Sequence, residues 1–355
     1  MKKVTVLFIC VLLLSSCHPI TQAGEGDAYL VMNEYDIAVN LTEESEPEDE
    51  DEPAPLTAML VPKPEDVISP EEITVLYSGG LFMYNVETDT VVFKKNEHGR
   101  YPPASIAKIM TLLVVLDNVS DLNALVEVTY EAFADFDNGD PNMEDAAGAK
   151  IEQGQTNLSY LDCLYALILP SACEAANILA YNAGGGSIPN FIDMMNDKAT
   201  ELGCLNTNFT NASGLYEEDY YSSAYDMFLI TKYTLDKYPL FEEIYKSPFH
   251  SMPPNDENPE GYFVRNTSAG LRVLHEMDFA EGIKIGSIYE YFHGSTRIDG
   301  FLTFVSMAEK DGLTFITVSL DADYYNDEGK WSGFHYDDHA ALYEWAYEVF
   351  EIEEY

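Results

Sequence analysis

Tyr101-Pro-Pro-Ala-Ser105-Ile-Ala-Lys108-Ile-Met-Thr111 is the stretch around which the rest of the chain is organised. The two prolines end any preceding element and fix φ, so they predict a helix that starts directly after them. Ser105 then lies in the first turn of that helix, and Lys108 lies three residues later on the same face. The pattern therefore places a hydroxyl beside a lysine amine at a helix N-terminus.

A serine in this position has two chemical aids. The lysine amine can take the hydroxyl proton, and the unpaired N–H groups of the first helical turn can stabilise a developing oxyanion. A lysine acts as a base only when it is neutral, and burial beside apolar side chains, with a second cation nearby, lowers its pKa in that direction. Because a serine and a lysine at this spacing also occur by chance in many helices, the motif alone does not establish an enzyme.

The composition is that of a globular and strongly acidic protein. The 355 residues are 46% hydrophobic and 13% aromatic, which is enough apolar surface for one large domain or two modest ones. The formal net charge is −44, and acidic side chains outnumber basic ones both before and after residue 72. Such a surface repels nucleic acid and anionic lipid headgroups, so we expect neither as a partner.

The N-terminus has the pattern of a targeting segment over residues 1–17. Residues 1–3 carry two lysines, residues 4–14 are apolar but too few to span a bilayer comfortably, and the run Leu-Leu-Ser-Ser-Cys ends at Cys17. This ending resembles a bacterial lipobox, in which the cysteine is lipidated; the alternative is an ordinary secretory signal. We expect lipidated Cys17 to anchor the protein to the outer face of the cytoplasmic membrane without a transmembrane helix.

Residues 18–72 have the composition of a linker. Acidic side chains dominate residues 43–52, and prolines interrupt the segment repeatedly. A segment of this kind cannot bury enough apolar area to fold, and its charges repel one another and extend it. The sequence therefore predicts an acidic, proline-containing linker over 18–72 and a folded domain over 73–355.

The spacing of cysteines and histidines favours neither a disulfide framework nor a metal site. After the signal segment only Cys163, Cys173 and Cys204 remain, an odd number without C-x-x-C spacing. His335 and His339 have helical spacing, but the acids between them favour a solvated helix start over a metal site. We therefore expect neither a metal nor a cofactor.

Hydrophobic periodicity predicts strands, then several helices, then strands and a last helix. Residues 80–94 have the pattern of two strands around a turn, and the helix with Ser105 runs to about residue 117. Further helices are predicted at 158–169 with Thr156 as N-cap, 173–181, 189–202, 223–235 and 339–351, and further strands at 261–267, 282–289, 300–309 and 314–320. Lys310-Asp311-Gly312 is predicted to be the hairpin turn between the last two strands. This order predicts an α+β fold, in which an all-helical lobe (104–259) is inserted into an antiparallel β-sheet domain (73–103 and 260–355) flanked by helices.

Three short motifs follow one another along this predicted fold. They are Ser105-x-x-Lys108, Ser171-Ala-Cys173 and Lys284-Ile285-Gly286-Ser287. Together they resemble the S-x-x-K, S-x-N and K-T-G elements of the penicillin-interacting serine enzymes. Supporting stretches at 191–203, 207–215 and 221–226 make residues 75–350 similar to the serine-type D-alanyl-D-alanine carboxypeptidases, the low-molecular-mass penicillin-binding proteins.

The resemblance implies a catalytic role for three residues. Ser105 would attack the D-Ala–D-Ala carbonyl of a peptidoglycan stem peptide and form an acyl-enzyme. Lys108 would be its general base, and Ser171 would relay protons between Lys108 and the leaving amine. β-Lactams would acylate the same serine.

The resemblance also implies substrate-binding roles in the third motif. Lys284 would supply positive potential for the substrate's terminal carboxylate and help to keep Lys108 neutral. The backbone N–H groups of Ser105 and Ser287 would form the oxyanion hole. Gly286 fits a need for close backbone approach to the substrate.

Two substrate-binding positions depart from the family's pattern. Cys173 stands where the family has Asn, and a thiol donates or accepts hydrogen bonds only weakly. Ile285 stands where the family has Thr, so the hydroxyl that binds the substrate carboxylate is missing. One well-placed bond lost in a dry site costs about 1–3 kcal/mol, or about one to two powers of ten in rate. We expect a weakened or respecialised enzyme.

Three alternatives remain open at this stage. The first is a catalytically poor, lipid-anchored relative that binds cell-wall peptide or a protein partner. The second is a β-lactamase with a deacylating carboxylate among residues 217–219, although the surrounding residues favour the carboxypeptidase pattern. The third makes Cys173 a thiol nucleophile, for which the sequence context offers no His partner.

Overall fold

The computed structural model describes residues 58–62, 76–133, 147–268, 277, 279–293 and 296–354. All of them lie in one compact unit, Asp49–Tyr355. The predicted signal segment and most of the predicted linker lie outside the described residues. Within these ranges the strands are β1 (Ala58–Pro62), β2 (Gly80–Asn85), β3 (Thr90–Lys95), β4 (Phe249–Met252), β5 (Tyr262–Arg265), β6 (Ala280–His293), β7 (Thr296–Lys310), β8 (Leu313–Asp323) and β9 (Phe350–Glu354). The helices are α1 (Lys108–Asn118), α2 (Tyr160–Ile168), α3 (Cys173–Ala183), α4 (Ile188–Glu201), α5 (Ala224–Lys237), α6 (Pro239–Lys246) and α7 (Phe334–Val349).

A five-stranded antiparallel sheet with the order β3-β2-β8-β7-β6 forms the frame. The hairpin turn predicted between β7 and β8 is confirmed, since Asp311 and Gly312 both have positive φ, at 54° and 78°. Two consecutive residues of that kind match the right-handed twist of the flanking strands. Strand β6, which carries the third motif, is an edge strand of this sheet.

Helices cover both faces of the sheet. The large apolar core contains side chains of α1 to α6 and of one sheet face, among them Ile109, Leu164 and Val318. A smaller core lies on the other face, where Leu342, Tyr343 and Ala346 of α7 contact the sheet. Helices α1 to α6 all lie between β3 and β4 in the sequence. The fold is therefore α+β, as predicted.

The predicted N-cap of α2 is wrong. Thr156 precedes the helix by several residues, and the cap is Ser159, whose hydroxyl accepts a hydrogen bond from Asp162 N at 3.1 Å. Asp162 in turn accepts from Ser159 N at 3.0 Å, which completes a capping box. Both residues were visible in the sequence, but the apolar Leu158 directly before the cap suggested an earlier start.

The prediction of a solvated helix start at His335 and His339 is also wrong. Both imidazoles are fully buried, and α7 begins at Phe334, five residues before the predicted start. His339 contacts Ser306 Oγ and Ser319 Oγ with its two ring nitrogens, at 2.6 and 3.0 Å. The acids that suggested solvent include Asp338, which is buried because its carboxylate accepts hydrogen bonds from residues 77 and 78.

Two further elements differ from the sequence predictions. Residues 58–62 fall within the predicted linker, yet they form β1 and pair with β9, whose first two residues were predicted to belong to the last helix. Ala-Met-Leu-Val-Pro is an apolar run in an acidic segment, and the apolar residues of Phe-Glu-Ile-Glu alternate with acids, so both suit a strand. Helix α6 and strand β4 were not predicted, because each is short.

The described residues contain no helix that is both long and apolar enough to cross a bilayer.

We predict that Ser159→Ala lowers the free energy of unfolding by about 1 kcal/mol, because it removes the N-cap acceptor of α2. Thr156→Ala is the matched control, since Thr156 is exposed and caps nothing, and it should change stability by less than about 0.5 kcal/mol. Urea denaturation of both variants checks this. Equal effects of the two substitutions would contradict the assignment of the cap.

Candidate active site

The segment that carries Ser105 is held between the helices and the sheet. Tyr101 exchanges two backbone hydrogen bonds with Ser222, each 2.9 Å long, and Thr303 Oγ1 on β7 donates to Pro103 O at 3.1 Å. Residues 104–107 then form one turn of 3₁₀ helix that leads directly into α1. The helix starts just after the two prolines, as predicted, and Ser105 lies in its first turn.

Lys108 is fully buried at the centre of the site. Its exposed fraction is 0%, and its Nζ lies 3.0 Å from Ser105 Oγ and 3.5 Å from Cys173 Sγ. It also donates to the backbone carbonyl of Ser213 at 2.5 Å. The ammonium or amine is therefore fixed at three points, and one of them is the candidate nucleophile.

Burial lowers the pKa of Lys108 from its ordinary value, because an ammonium without water is destabilised. The nearby Cys173 and Glu174 act in the opposite direction and offset part of this effect. The net result favours the neutral amine, which is the form that can accept a proton from Ser105.

The carbonyl that receives Lys108 belongs to a loop whose role the sequence did not reveal. Asn211 organises this loop, since its side-chain oxygen accepts from Ser213 N at 3.2 Å and from Gly214 N at 2.8 Å. The run Asn-Ala-Ser-Gly at 211–214 belongs to the stretches that carry the family resemblance. A signal was thus present, but nothing in it indicated that a backbone oxygen would contact Lys108.

Ser171 and Cys173 lie at the junction of α2 and α3, and the structure brings Cys173 to Lys108 as the motif order suggested. Ser171 has the left-handed φ of 65°, a conformation that costs an ordinary residue about 1–2 kcal/mol. Its side chain is buried, and its hydroxyl has no hydrogen-bond partner in the described part of the chain. A strained, unpaired hydroxyl two residues before the cysteine that contacts Lys108 is consistent with a functional position.

Lys284 on β6 is also fully buried, and its Nζ donates to the carbonyl of Ile285 at 2.9 Å. Burial lowers its pKa well below the ordinary value, and the charge of Lys108 lowers it further. The two lysines are thus close enough to repel one another. The charged form of Lys108 therefore disfavours the charged form of Lys284.

Gly286 fits tightly against the backbone of the candidate nucleophile. A Cβ at this position would lie 2.8 Å from Ser105 N and 2.3 Å from Thr303 Oγ1. Gly214 approaches the same peptide from the loop, and a Cβ there would lie 3.0 Å from Ser105 N. The sequence interpretation assigned the small size of Gly286 to substrate approach, whereas in the structure it admits the Ser105 backbone.

The two remaining residues of the third motif do not join the cluster around Lys108. The side chain of Ile285 packs against the smaller core, and its backbone N–H donates to Ser268 Oγ at 3.1 Å. Ser287 is exposed, two positions further along β6. Sequence reasoning did not single out Ser268, because it lies in the segment before β6 and outside all three motifs.

The arrangement as a whole suits acyl transfer on a serine. Ser105 has a base within hydrogen-bond distance, and the base is buried and has a lowered pKa. Among the described residues there is no group of three or more His, Cys, Asp or Glu side chains placed to hold a metal ion.

Comparison with known proteins places this chain in a family. The family model for the D-alanyl-D-alanine carboxypeptidases (peptidase family S11) matches residues 71–323. The chain belongs to this family. It is 33% identical over 151 residues to a D-alanyl-D-alanine carboxypeptidase of Bacillus subtilis, which covers 41% of this chain and 36% of that protein. It is 27% identical over 266 residues to another from Mycobacterium tuberculosis, covering 74% of this chain and 80% of that protein.

A solved structure has a similar fold. The DD-transpeptidase of a Streptomyces species superposes with a TM-score of 0.62 and 25% identity, over 77% of this chain and 98% of that one. The same organism's D-alanyl-D-alanine carboxypeptidase is 35% identical over 158 residues, 42% of this chain and 51% of that protein. The chain thus spans about a third to a half of the length of the Bacillus and Streptomyces curated relatives.

We predict that the two buried lysines make stability rise with pH. In the folded protein the pKa of each lysine lies below its value in the unfolded chain, which is about 10.4. At a pH between the folded and the unfolded pKa, the unfolded chain therefore binds more protons than the folded protein. The stabilising contribution is complete above the unfolded pKa and is lost as the pH falls through the folded pKa, with a slope of up to about 1.4 kcal/mol per pH unit for each lysine.

Lys284→Met should remove one lysine's share of that slope between pH 7 and pH 10, as measured by urea denaturation across the range. Lys330→Met, at an exposed lysine, is the matched control and should leave the slope unchanged. An unchanged slope in Lys284→Met would show that Lys284 titrates normally in the folded protein.

Proposed function

We propose that the protein is a serine-type D-Ala-D-Ala carboxypeptidase that acts on peptidoglycan stem peptides through an acyl-enzyme on Ser105. The observation that carries this proposal is the contact of 3.0 Å between Lys108 Nζ and Ser105 Oγ, made by a lysine whose pKa burial has lowered. Membership of the carboxypeptidase family supports the same substrate class.

In the proposed reaction Lys108 takes the proton of Ser105 as Oγ attacks the carbonyl carbon of the penultimate D-Ala. The backbone N–H groups of Ser105 and Ser287 stabilise the resulting oxyanion. The C–N bond then breaks, and Ser171 passes the proton from Lys108 to the departing amine of the terminal D-Ala. Water hydrolyses the ester in the second half of the reaction, with Lys108 again as base.

The unpaired hydroxyl of Ser171 supports its place in this relay. It is buried, and no protein atom in the described residues satisfies it. An orphaned buried hydroxyl costs about 1–3 kcal/mol, and a substrate amine would remove that cost. Lys284 is the proposed partner of the substrate's terminal carboxylate: burial lowers its pKa, and a bound carboxylate would favour its charged form.

Cys173 and Ile285 are proposed to weaken or respecialise this activity. Cys173 Sγ accepts a hydrogen bond from Lys108 Nζ at 3.5 Å. This bond is weaker than the one that the side-chain oxygen of an asparagine would accept. Solved variants of the Streptomyces transpeptidase include one in which a cysteine was changed to asparagine, and one in which a serine two residues earlier was changed to alanine. That spacing equals the spacing of Ser171 and Cys173, which supports the proposal that an enzyme of this fold can carry a cysteine at this position.

The direct test is release of D-alanine from a pentapeptide that ends in D-Ala–D-Ala. The wild type should release it, and Ser105→Ala should lose at least about a thousandfold in rate. Ser187→Ala, at the half-buried N-cap of α4, is the matched control and should retain full activity. A folded wild type without turnover would favour the alternative, a lipid-anchored binding protein for cell-wall peptide or a protein partner.

Cys173→Asn should raise kcat/KM for this peptide by about tenfold or more, because an amide restores strong hydrogen bonding to Lys108 and the substrate. Cys173→Ala is the companion variant and should not raise it. A loss of activity in Cys173→Asn would instead show that the site is adapted to the thiol.

Transfer to an amine is a second candidate outcome for the acyl-enzyme. The similar Streptomyces structure is that of a DD-transpeptidase, with the serine and cysteine spacing noted above. Addition of glycine or a D-amino acid to the peptide assay distinguishes the two. Transfer is supported if most of the acyl group leaves on the amine, and hydrolysis is supported if free tetrapeptide still dominates.

We further propose that the protein is a lipoprotein held on the outer face of the bacterial cytoplasmic membrane through Cys17. The lipobox-like run before Cys17 motivates this placement. Metabolic labelling with a fatty-acid analogue in a bacterial host should label the wild type and spare Cys17→Ala. Equal labelling of both would contradict lipidation at Cys17.

A further inference from the structure

The N-terminus of α3 lacks a capping side chain of its own. Its N-cap residue is Ala172, whose methyl group accepts no hydrogen bond. The first N–H of the helix, that of Cys173, donates instead to the carbonyl of Ala147 at 2.7 Å. A separate segment of chain, residues 147–151, thus provides an acceptor for one of the N–H groups that have no partner within the helix.

The carboxylate of Glu174 makes the reciprocal contacts. Its Oε1 accepts from Ala149 N at 2.5 Å, and the N–H of Ile151 also donates to it. The side chain is 8% exposed. Gly148 lies directly against it, since a Cβ there would be 3.3 Å from both carboxylate oxygens. A buried carboxylate with several N–H donors is expensive to remove from its place.

The segment is also fixed on its far side. The carbonyl of Lys150 accepts from Asn255 Nδ2 at 2.9 Å and from Tyr262 OH at 3.4 Å. Residues 147–151 therefore lie between α3 and the loop that precedes β5. Since Ala147 bonds to Cys173, the segment abuts the residue that contacts Lys108.

We propose that Glu174 is a positioning residue of the active site, which clamps residues 147–151 onto the start of α3 and places a carboxylate one residue away from Cys173, the residue whose Sγ contacts Lys108. This inference rests on the proposed function, because it gives Glu174 a role in setting the base. Nothing in the reaction requires Glu174 to touch the substrate.

The charge of the Glu174 carboxylate acts on Lys108 together with the charges of several neighbouring titratable groups. Glu174 favours the ammonium form of Lys108, and that ammonium in turn disfavours the charged form of Lys284. The groups that face Lys108 or Glu174 from the surrounding helices and strands are Cys163, Cys173, Tyr262 and Lys284. Replacing the carboxylate by a neutral amide of the same shape should therefore lower the pKa of Lys108.

The test uses Glu174→Gln, which keeps an acceptor oxygen but removes the charge, and Glu174→Ala, which removes both. Glu152→Gln is the matched control, because Glu152 also binds loop N–H groups, those of Asp256 and Glu257 at 3.0 and 2.9 Å. Two readouts need no turnover. One is the NMR titration of isotopically labelled Lys108, and the other is hydrogen exchange at Ala149 and Ile151.

Glu174→Gln should shift the Lys108 titration to lower pH by about half a unit or more. It should largely keep the protection of the Ala149 and Ile151 amides against hydrogen exchange. Glu174→Ala should lose at least about tenfold of that protection, and Glu152→Gln should change neither readout. An unchanged Lys108 titration in both Glu174 variants would overturn the electrostatic role, and unchanged protection in Glu174→Ala would overturn the clamp.

The acylation rate with a penicillin, measured against pH, connects the charge to function. Its acid limb should move in the same direction as the Lys108 titration in Glu174→Gln. If the wild type is not acylated at all, the proposed function fails, while the titration and the exchange data still decide the role of Glu174.

Discussion

The burial of one lysine amine determines the construction of this site. Lys108 Nζ is bound by Ser105 Oγ, by the carbonyl of Ser213 and by Cys173 Sγ, which come from three separate parts of the chain. An unpaired buried ammonium would be strongly destabilising, so these parts must meet at fixed distances. The demand for a neutral base and the demand for satisfied hydrogen bonds thus select the same geometry.

The fold meets that demand by placing the motifs at the boundary between the helices and the sheet. The helix that carries Lys108 starts beside β7, because Thr303 binds Pro103 and because Gly286 leaves space for the Ser105 backbone. The start of α3 is held by residues 147–151 rather than by a cap of its own. Small residues and backbone contacts, more than additional catalytic side chains, therefore position the cluster.

The sequence was sufficient for the parts of this account that depend on local spacing. The helix after the prolines and the hairpin turn at Asp311 follow from residue type alone, and the three motifs could be found without a structure. The contact of Lys108 with the Ser213 carbonyl could not be predicted, because every residue has a backbone oxygen and its contacts leave no pattern in the sequence. The burial of His339 was missed because acidic neighbours usually indicate solvent, whereas Asp338 is buried by hydrogen bonds to residues 77 and 78.

The most direct test of the central claim is intact-mass analysis of the folded protein after incubation with benzylpenicillin. The account predicts that the wild type gains the mass of one penicillin, and that Ser105→Ala and Lys108→Ala do not. An adduct that persists in Ser105→Ala would place the nucleophile elsewhere. A folded wild type without any adduct would contradict the claim that Ser105 and Lys108 form a working nucleophile and base.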